Sequence, residues 1–145
     1  IIHKNLTKII LGISIATSSL TFPQPGNAQT SGEFRIHCMS RIMYASNRRR
    51  SEITETAATT ACQNANTAEQ SVAIANCVID TMYNSSGNLR NGMNASVAAT
   101  VCQRATTIVS SEQISKCMKN FMYDTRGRLR QGVSTQGAIS QCSIF

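Results

Sequence analysis

An all-α fold is predicted for this 145-residue chain by regularly spaced cysteines, by helical spacing of the apolar residues around them, and by the lack of any strictly alternating segment. The cysteines form three pairs: Cys38 and Cys62, Cys77 and Cys102, and Cys117 and Cys142. The pairs span 24, 25 and 25 residues, and successive pairs are 39 or 40 residues apart. This period predicts three copies of one structural unit.

The first 28 residues have the pattern of a signal peptide. Lys4 and Lys8 make the start basic, residues 9–20 are mostly apolar, and small residues precede a predicted cleavage site after Ala28. The alternative is an uncleaved membrane anchor, but an apolar run of about a dozen residues falls short of the ~20 that cross a bilayer. We therefore expect residues 1–28 to direct export.

Residues 29–145 are predicted to form a single all-α domain. Its three repeats cover about 31–66, 67–106 and 107–145, with no transmembrane segment. Export predicts an oxidising compartment, periplasmic or extracellular, in which the cysteines form disulfides. Two of the 14 basic residues precede position 29, so this domain holds 12 against 7 acidic ones, a balance compatible with an anionic partner.

The first helix of each unit surrounds its first cysteine. In the third unit, the apolar residues occupy positions i, i+3, i+4, i+7 and i+8 of one helical face: Ile114, Cys117, Met118, Phe121 and Met122. The second unit follows this pattern with Ile74, Cys77, Val78 and Met82, and the first unit has Phe34, Cys38, Met39, Ile42 and Met43 on one helical face. Thr67 with Gln70, and Ser110 with Gln113, are capping-box pairs that predict where two of these helices begin.

The second helix of each unit is short and rich in alanine. Thr54, Asn94 and Ser134 lie eight residues before their cysteines and are predicted N-caps. Glycines are expected to form the turn between the two helices of the second and third units: Gly87, Gly92, Gly127 and Gly132. The first unit has residues 45–50 instead, without glycine, as is common in terminal repeats.

Six cysteines allow 15 pairings. Two antiparallel helices joined by the predicted turn would bring both sulfurs of a unit opposite one another, which favours Cys38–Cys62, Cys77–Cys102 and Cys117–Cys142. Pairing between neighbouring units, Cys62–Cys77 and Cys102–Cys117, remains open. Three such disulfide-linked helical hairpins would stack side by side as a short solenoid-like array, with their turns along one edge.

Arginines are concentrated in the predicted turns. The seven are Arg48, Arg49, Arg50, Arg90, Arg126, Arg128 and Arg130. One interpretation is an anion-binding edge, since guanidinium groups suit phosphate, sulfate and carboxylate. The other is that these charges are only solvated. The partner would be an anionic glycan, a lipid head group or an acidic protein, and no nucleic acid is expected.

The sequence predicts no catalytic, metal or cofactor site. Gly87 and Gly92 have the spacing of a phosphate-binding loop but lack the Lys-Ser/Thr that must follow, and His37 beside Cys38 is interpreted as structural. Tyr44, Tyr83 and Tyr123 each follow the first cysteine of a unit by six residues. We expect their rings to pack at the hairpin ends with the hydroxyls toward water, or else to form a stacking ladder for sugars or bases.

Two patterns carry a family resemblance. The Gly-Asn-Ala-Gln junction at residues 26–29 follows prolines, and units of the form C-x5-Y…G-x-L-R-x-G…C come after it. In these features the chain resembles small exported cyanobacterial proteins with paired-cysteine helical repeats. The resemblance implies export and repeat architecture and no active site. We expect an exported, non-catalytic structural or binding module; the alternative is a small secreted hydrolase or an inhibitor of one.

Overall fold

A computed structural model describes residues 29–143, and this part of the chain is mostly helical, which confirms the predicted all-α content. The helices are α1 (Ser31–Met43), α2 (Glu55–Cys62), α3 (Ala68–Met82), α4 (Ala95–Cys102), α5 (Ile108–Met122) and α6 (Thr135–Cys142). The predicted signal peptide, residues 1–28, and the last two residues lie outside the described part.

Side-chain caps start the short second helices. Thr54, Asn94 and Ser134 each accept a hydrogen bond from the backbone amide three residues later, as predicted. The long helix α5 begins earlier than predicted, because its N-cap is Thr107. Ser110 is instead the third residue of this helix and completes a capping box with Thr107.

The expectation that the chain contains no strand was wrong in the first unit. Two short antiparallel strands, β1 (Tyr44–Ala45) and β2 (Arg48–Arg49), follow α1 directly. The two residues between them, Ser46 and Asn47, have φ values of 45° and 68°. Positive φ at both positions is the requirement of a two-residue type I′ turn, which replaces the glycine turn here.

Each disulfide joins the two helices of one unit. Cys38–Cys62 links α1 to α2, Cys77–Cys102 links α3 to α4, and Cys117–Cys142 links α5 to α6. Their Cα atoms are 5.8, 5.6 and 5.6 Å apart. A disulfide that closes a loop of this length contributes on the order of 3 kcal/mol in the chain-entropy account.

The helices pack in two rows around an alanine-rich core. α3 contacts both α1 and α5, and α4 contacts both α2 and α6. The largest fully buried side chains include Ile42, Ile74, Met82, Ile114 and Met118. Between positions 29 and 143, no helix is both long enough and apolar enough to cross a membrane.

Candidate functional site

The segments that join the two helices of each unit form the candidate site. We call residues 44–54 the first turn, residues 83–94 the second turn and residues 123–134 the third turn. Gly87 and Gly127 have φ values of 77° and 73°, a conformation that other residues rarely adopt. These glycines therefore set the path of the second and third turns.

One polar side chain organises each glycine-containing turn. Oδ1 of Asp124 accepts hydrogen bonds from the backbone amides of Arg126 and Arg128, both at 2.9 Å. Oδ1 of Asn84 accepts equivalent bonds from Ser86 and Asn88 at 3.0 and 2.9 Å. The two turns therefore have the same backbone hydrogen bonding, and they differ in that only the third has a carboxylate.

Three of the seven arginines are directed back onto the protein. Arg50, Arg90 and Arg130 occupy the same place in their units, because the backbone amide of each bonds to the carbonyl of the last helical methionine, Met43, Met82 or Met122. Nη1 of Arg50 also donates to the carbonyl oxygens of Arg41, Ile42 and Tyr44 at 2.8–2.9 Å. Arg50 thus satisfies carbonyls at the C-terminus of α1.

Two of these arginines also link neighbouring units. The guanidinium carbon of Arg50 lies 5.7 Å from the ring centre of Tyr83, and that of Arg90 lies 5.8 Å from the ring centre of Tyr123. Distances below about 6 Å allow cation–π attraction. Each contact joins the arginine of one unit to the tyrosine of the next.

The tyrosine hydroxyls point to protein acceptors. Tyr83 donates to Oε2 of Glu52 at 3.2 Å, and Tyr123 donates to the carbonyl of Asn91 at 2.8 Å. The expectation that these hydroxyls face water was wrong for Tyr123, which is only 4% exposed. Desolvation raises the pKa of both tyrosines, and the charge of Glu52 raises that of Tyr83 further, so both stay neutral donors.

The remaining four turn arginines are exposed: Arg48, Arg49, Arg126 and Arg128. Arg128 pairs with Asp124 at 3.0 Å, the one ion pair between residues 29 and 143. The pKa of Asp124 lies below its ordinary value of 3.8, mainly because the carboxylate accepts a hydrogen bond from the backbone amide of Arg128. A hydrogen bond from the Arg128 side chain lowers this pKa further. Of these four, Arg48, Arg49 and Arg126 therefore keep their charge free for a ligand.

Two clefts lie along the turns at equivalent places. The first cleft, about 630 Å³, lies between the first turn and the end of α3. Its charged lining residues are Arg48, Arg49, Arg50, Glu52 and Asp80. The second cleft, about 330 Å³, lies 40 residues further along the chain, with Arg90, Lys119, Asp124 and Arg130 in its lining. Cations outnumber carboxylates in both clefts.

Glu52 and Asp80 offset two of the three positive charges that line the first cleft. Hydrogen bonds from the backbone amide of Glu52, from Tyr83 and from Ser51, together with the charge of Arg50, lower the pKa of the Glu52 carboxyl. Its charge is therefore retained at neutral pH, and it is directed to Tyr83 and Arg50. Arg48 and Arg49, on β2, are exposed cations in the lining of this cleft, and within residues 29–143 neither forms an ion pair.

The other sequence candidates contribute no further site. Cys38 lies in a disulfide, so His37, exposed on α1, has no thiol beside it to activate. Within residues 29–143, histidine, cysteine and carboxylate side chains form no group of three that could hold a metal. Lys119 was not among the predicted site residues, although it lies in the last turn of α5 and its carbonyl accepts the backbone amide of Tyr123.

Comparison of the chain with protein-family models, with curated proteins and with solved structures finds no match. The resemblance to exported cyanobacterial repeat proteins therefore stays a prediction. The function must be argued from the geometry of the turns alone.

Proposed function

We propose that this chain is an exported, non-catalytic binding module of three stacked helical hairpins, and that its first turn binds a polyanion. The observation that carries the proposal is the position of Arg48 and Arg49. Both are exposed on a strand that lines the larger of the two clefts, and within residues 29–143 no carboxylate pairs with either. A guanidinium group in this setting can donate two parallel hydrogen bonds to a sulfate, phosphate or carboxylate group.

The backbone of the first turn supports this role. β1 and β2 are held together by antiparallel pairing, and Arg50 ties the end of β2 to the C-terminus of α1 through three carbonyls. Arg48 and Arg49 therefore extend from an ordered hairpin. A ligand that binds them does not have to order the backbone first, which lowers the entropic cost of binding.

The spacing of the units favours a repeating anion over a single small one. Helices that pack directly lie about 8–10 Å apart, so α1, α3 and α5 place the first and third turns about 20 Å from one another. A chain with a charge on each sugar or phosphate unit could contact Arg48 and Arg49 at one end of the edge and Arg126 at the other. The proposed ligand is thus an anionic polymer.

The disulfides support the proposed location. Three disulfides within residues 29–143, with no free cysteine there, are typical of proteins that fold in an oxidising compartment. Together with the predicted signal peptide, they favour a periplasmic or extracellular protein. An anionic envelope or matrix glycan is a polymer available in such a place.

Binding of dextran sulfate by the oxidised protein tests the proposal, with uncharged dextran as the reference ligand. The double variant Arg48→Gln/Arg49→Gln should weaken binding about tenfold, because exposed charged contacts contribute up to ~1 kcal/mol each. The matched control is Arg104→Gln/Lys116→Gln, which removes the same charge from exposed positions away from the turns. Its affinity should stay within about twofold of the wild type. Equal losses in both double variants, or none in the first, would contradict the proposal.

A further inference from the structure

Within residues 29–143, the series of arginine–tyrosine contacts between neighbouring units leaves one arginine and one tyrosine without such a contact. Arg50 of the first unit stacks on Tyr83 of the second, and Arg90 of the second stacks on Tyr123 of the third. Arg130 of the third unit is equivalent to Arg50 and Arg90. Tyr44 of the first unit is equivalent to Tyr83 and Tyr123. The series therefore leaves an arginine at one end of the described chain and a tyrosine at the other.

These two end residues are accessible. Tyr44 is 45% exposed, in contrast to the buried Tyr123, and between positions 29 and 143 no guanidinium stacks on its ring. Arg130 is exposed and uses its Nε to donate to the carbonyl of Tyr123 at 2.9 Å. Its outer nitrogens remain available for a further contact.

The outer helices leave apolar side chains at the same two ends. Ile36 of α1 is 69% exposed, whereas the equivalent residues Ala75 and Ser115 are buried where their helices meet a preceding unit. At the other end, Phe121 of α5 is only partly buried, whereas the equivalent Thr81 of α3 is fully buried. α1 and α5 thus each present the kind of face that α3 buries against a neighbouring helix.

We infer that copies of this protein associate head to tail, with Arg130 of one copy over the Tyr44 ring of the next. The α5 face of the first copy then packs against the α1 face of the second. This interface continues the one already made twice within each chain. Because its two sides are different surfaces, each copy can bind one copy at each end, and assembly can extend into a linear oligomer.

Polar replacements at the two ends set the strength of this association. Arg35 occupies the place of the buried Ile74 and Ile114, and Gln113 occupies the place of the buried Ala73. Less apolar area is available between copies than between units of one chain, so we expect reversible association that depends on protein concentration. Added salt should strengthen it by screening the repulsion between basic copies, whereas salt weakens polyanion binding.

Sedimentation of the oxidised protein over a range of concentrations tests this inference. The average mass of the wild type should rise with concentration. Tyr44→Ala and Arg130→Ala should each weaken association about tenfold, as expected for a lost cation–π contact of ~1–2 kcal/mol. Tyr44→Phe keeps the ring, and Arg104→Ala removes an exposed charge outside the series, so both should associate like the wild type.

Wild-type oligomers larger than the dimer distinguish a head-to-tail interface from a two-fold one, and a mixture of the two weakened variants tests whether Arg130 meets Tyr44. Tyr44→Ala retains an intact Arg130 end and Arg130→Ala retains an intact Tyr44 end, so the mixture should form heterodimers of about wild-type affinity whose further extension is weakened about tenfold. A wild type that is monomeric at every concentration would overturn the inference. So would a mixture that associates no better than either variant alone. Circular dichroism of each variant checks that its helical fold is retained.

Discussion

The first and third turns both carry three arginines, yet they place them differently. In the third turn, Asp124 organises the backbone and pairs with Arg128. In the first turn, the strands β1 and β2 organise the backbone without any carboxylate, and Arg48 and Arg49 remain unpaired with acid in the described part of the chain. Under the proposed function, the existing partners of the arginines in a turn, rather than their number, would decide how well the turn binds anions.

The last arginine of each turn shows a second difference. Arg50 donates to three carbonyls, whereas Arg130 donates to one. Arg50 also stacks on a tyrosine of the next unit, and Arg130 has no following unit within residues 29–143. At equivalent positions, Arg50 thus holds the first turn against α1 and the next unit, whereas Arg130 is more accessible.

The largest expected difference between the two turns is in stability. Arg50→Ala should lower the free energy of unfolding by about 2–3 kcal/mol, because charged hydrogen bonds to three carbonyls and one stacking contact are lost. Arg130→Ala should lower it by about 1 kcal/mol, since one hydrogen bond is lost. Urea denaturation with the disulfides intact measures both. Equal losses would show that the extra bonds of Arg50 contribute nothing.

The stability of the protein should change differently when glycine is removed from the third turn and when it is introduced into the first. Gly127→Ala should cost about 1–2 kcal/mol, because alanine is strained at a φ of 73°. An added Cβ there meets no atom within 4 Å, so the loss would come from the backbone conformation itself. In the first turn, Asn47→Gly should be neutral or stabilise by a few tenths of a kcal/mol, since type I′ turns favour glycine at this position. Thermal unfolding of the two variants measures the contrast, which a destabilised Asn47→Gly would refute.

The smallest expected effect comes from making the third turn resemble the second. Asp124→Asn can keep the amide hydrogen bonds, as Asn84 does, but it removes the charge that holds Arg128. Dextran sulfate should then bind about two- to threefold more tightly at neutral pH, because one exposed cation is released from its partner.

The pH dependence of this difference provides its control. The pKa of Asp124 lies below 3.8, so the carboxylate holds Arg128 at neutral pH and releases it only as the pH falls through that lowered pKa. The wild type should therefore approach the affinity of the asparagine variant in acid, while the sulfate ligand stays ionised. A gap that persists below this pKa would mean that Asp124 acts through the backbone of the turn rather than through its charge.

The sequence carried enough information to predict the helical units but not the contacts between them. The cysteine period favours one disulfide per unit, and Thr54, Asn94 and Ser134 cap helices where their spacing indicates. The start of α5 was predicted wrongly because Thr107 and Ser110 are both competent caps, and local sequence does not choose between them. The strands β1 and β2 were missed because segments of two residues are too short to show alternation.

The candidate site depends on contacts that are distant in sequence. The recurrence of tyrosine and arginine in each unit is visible, but Arg50 meets Tyr83 only because neighbouring units stack with a particular offset. The sequence alone does not show which of the seven turn arginines contact a tyrosine. Packing brings Arg50 and Arg90 onto Tyr83 and Tyr123, whereas the Arg128–Asp124 pair is local, with its partners four residues apart in the third turn.

The central claim is that arginines without partners, rather than arginine content, bind the polyanion. Its most direct test compares the dextran sulfate affinities of Arg48→Gln/Arg49→Gln and Arg126→Gln/Arg128→Gln over a range of salt concentrations. Both double variants lose the same charge from equivalent turns. We predict a larger loss of affinity, and a larger decrease in salt dependence, for the first-turn variant, because Arg128 is already paired with Asp124. Equal losses at every salt concentration would contradict the claim.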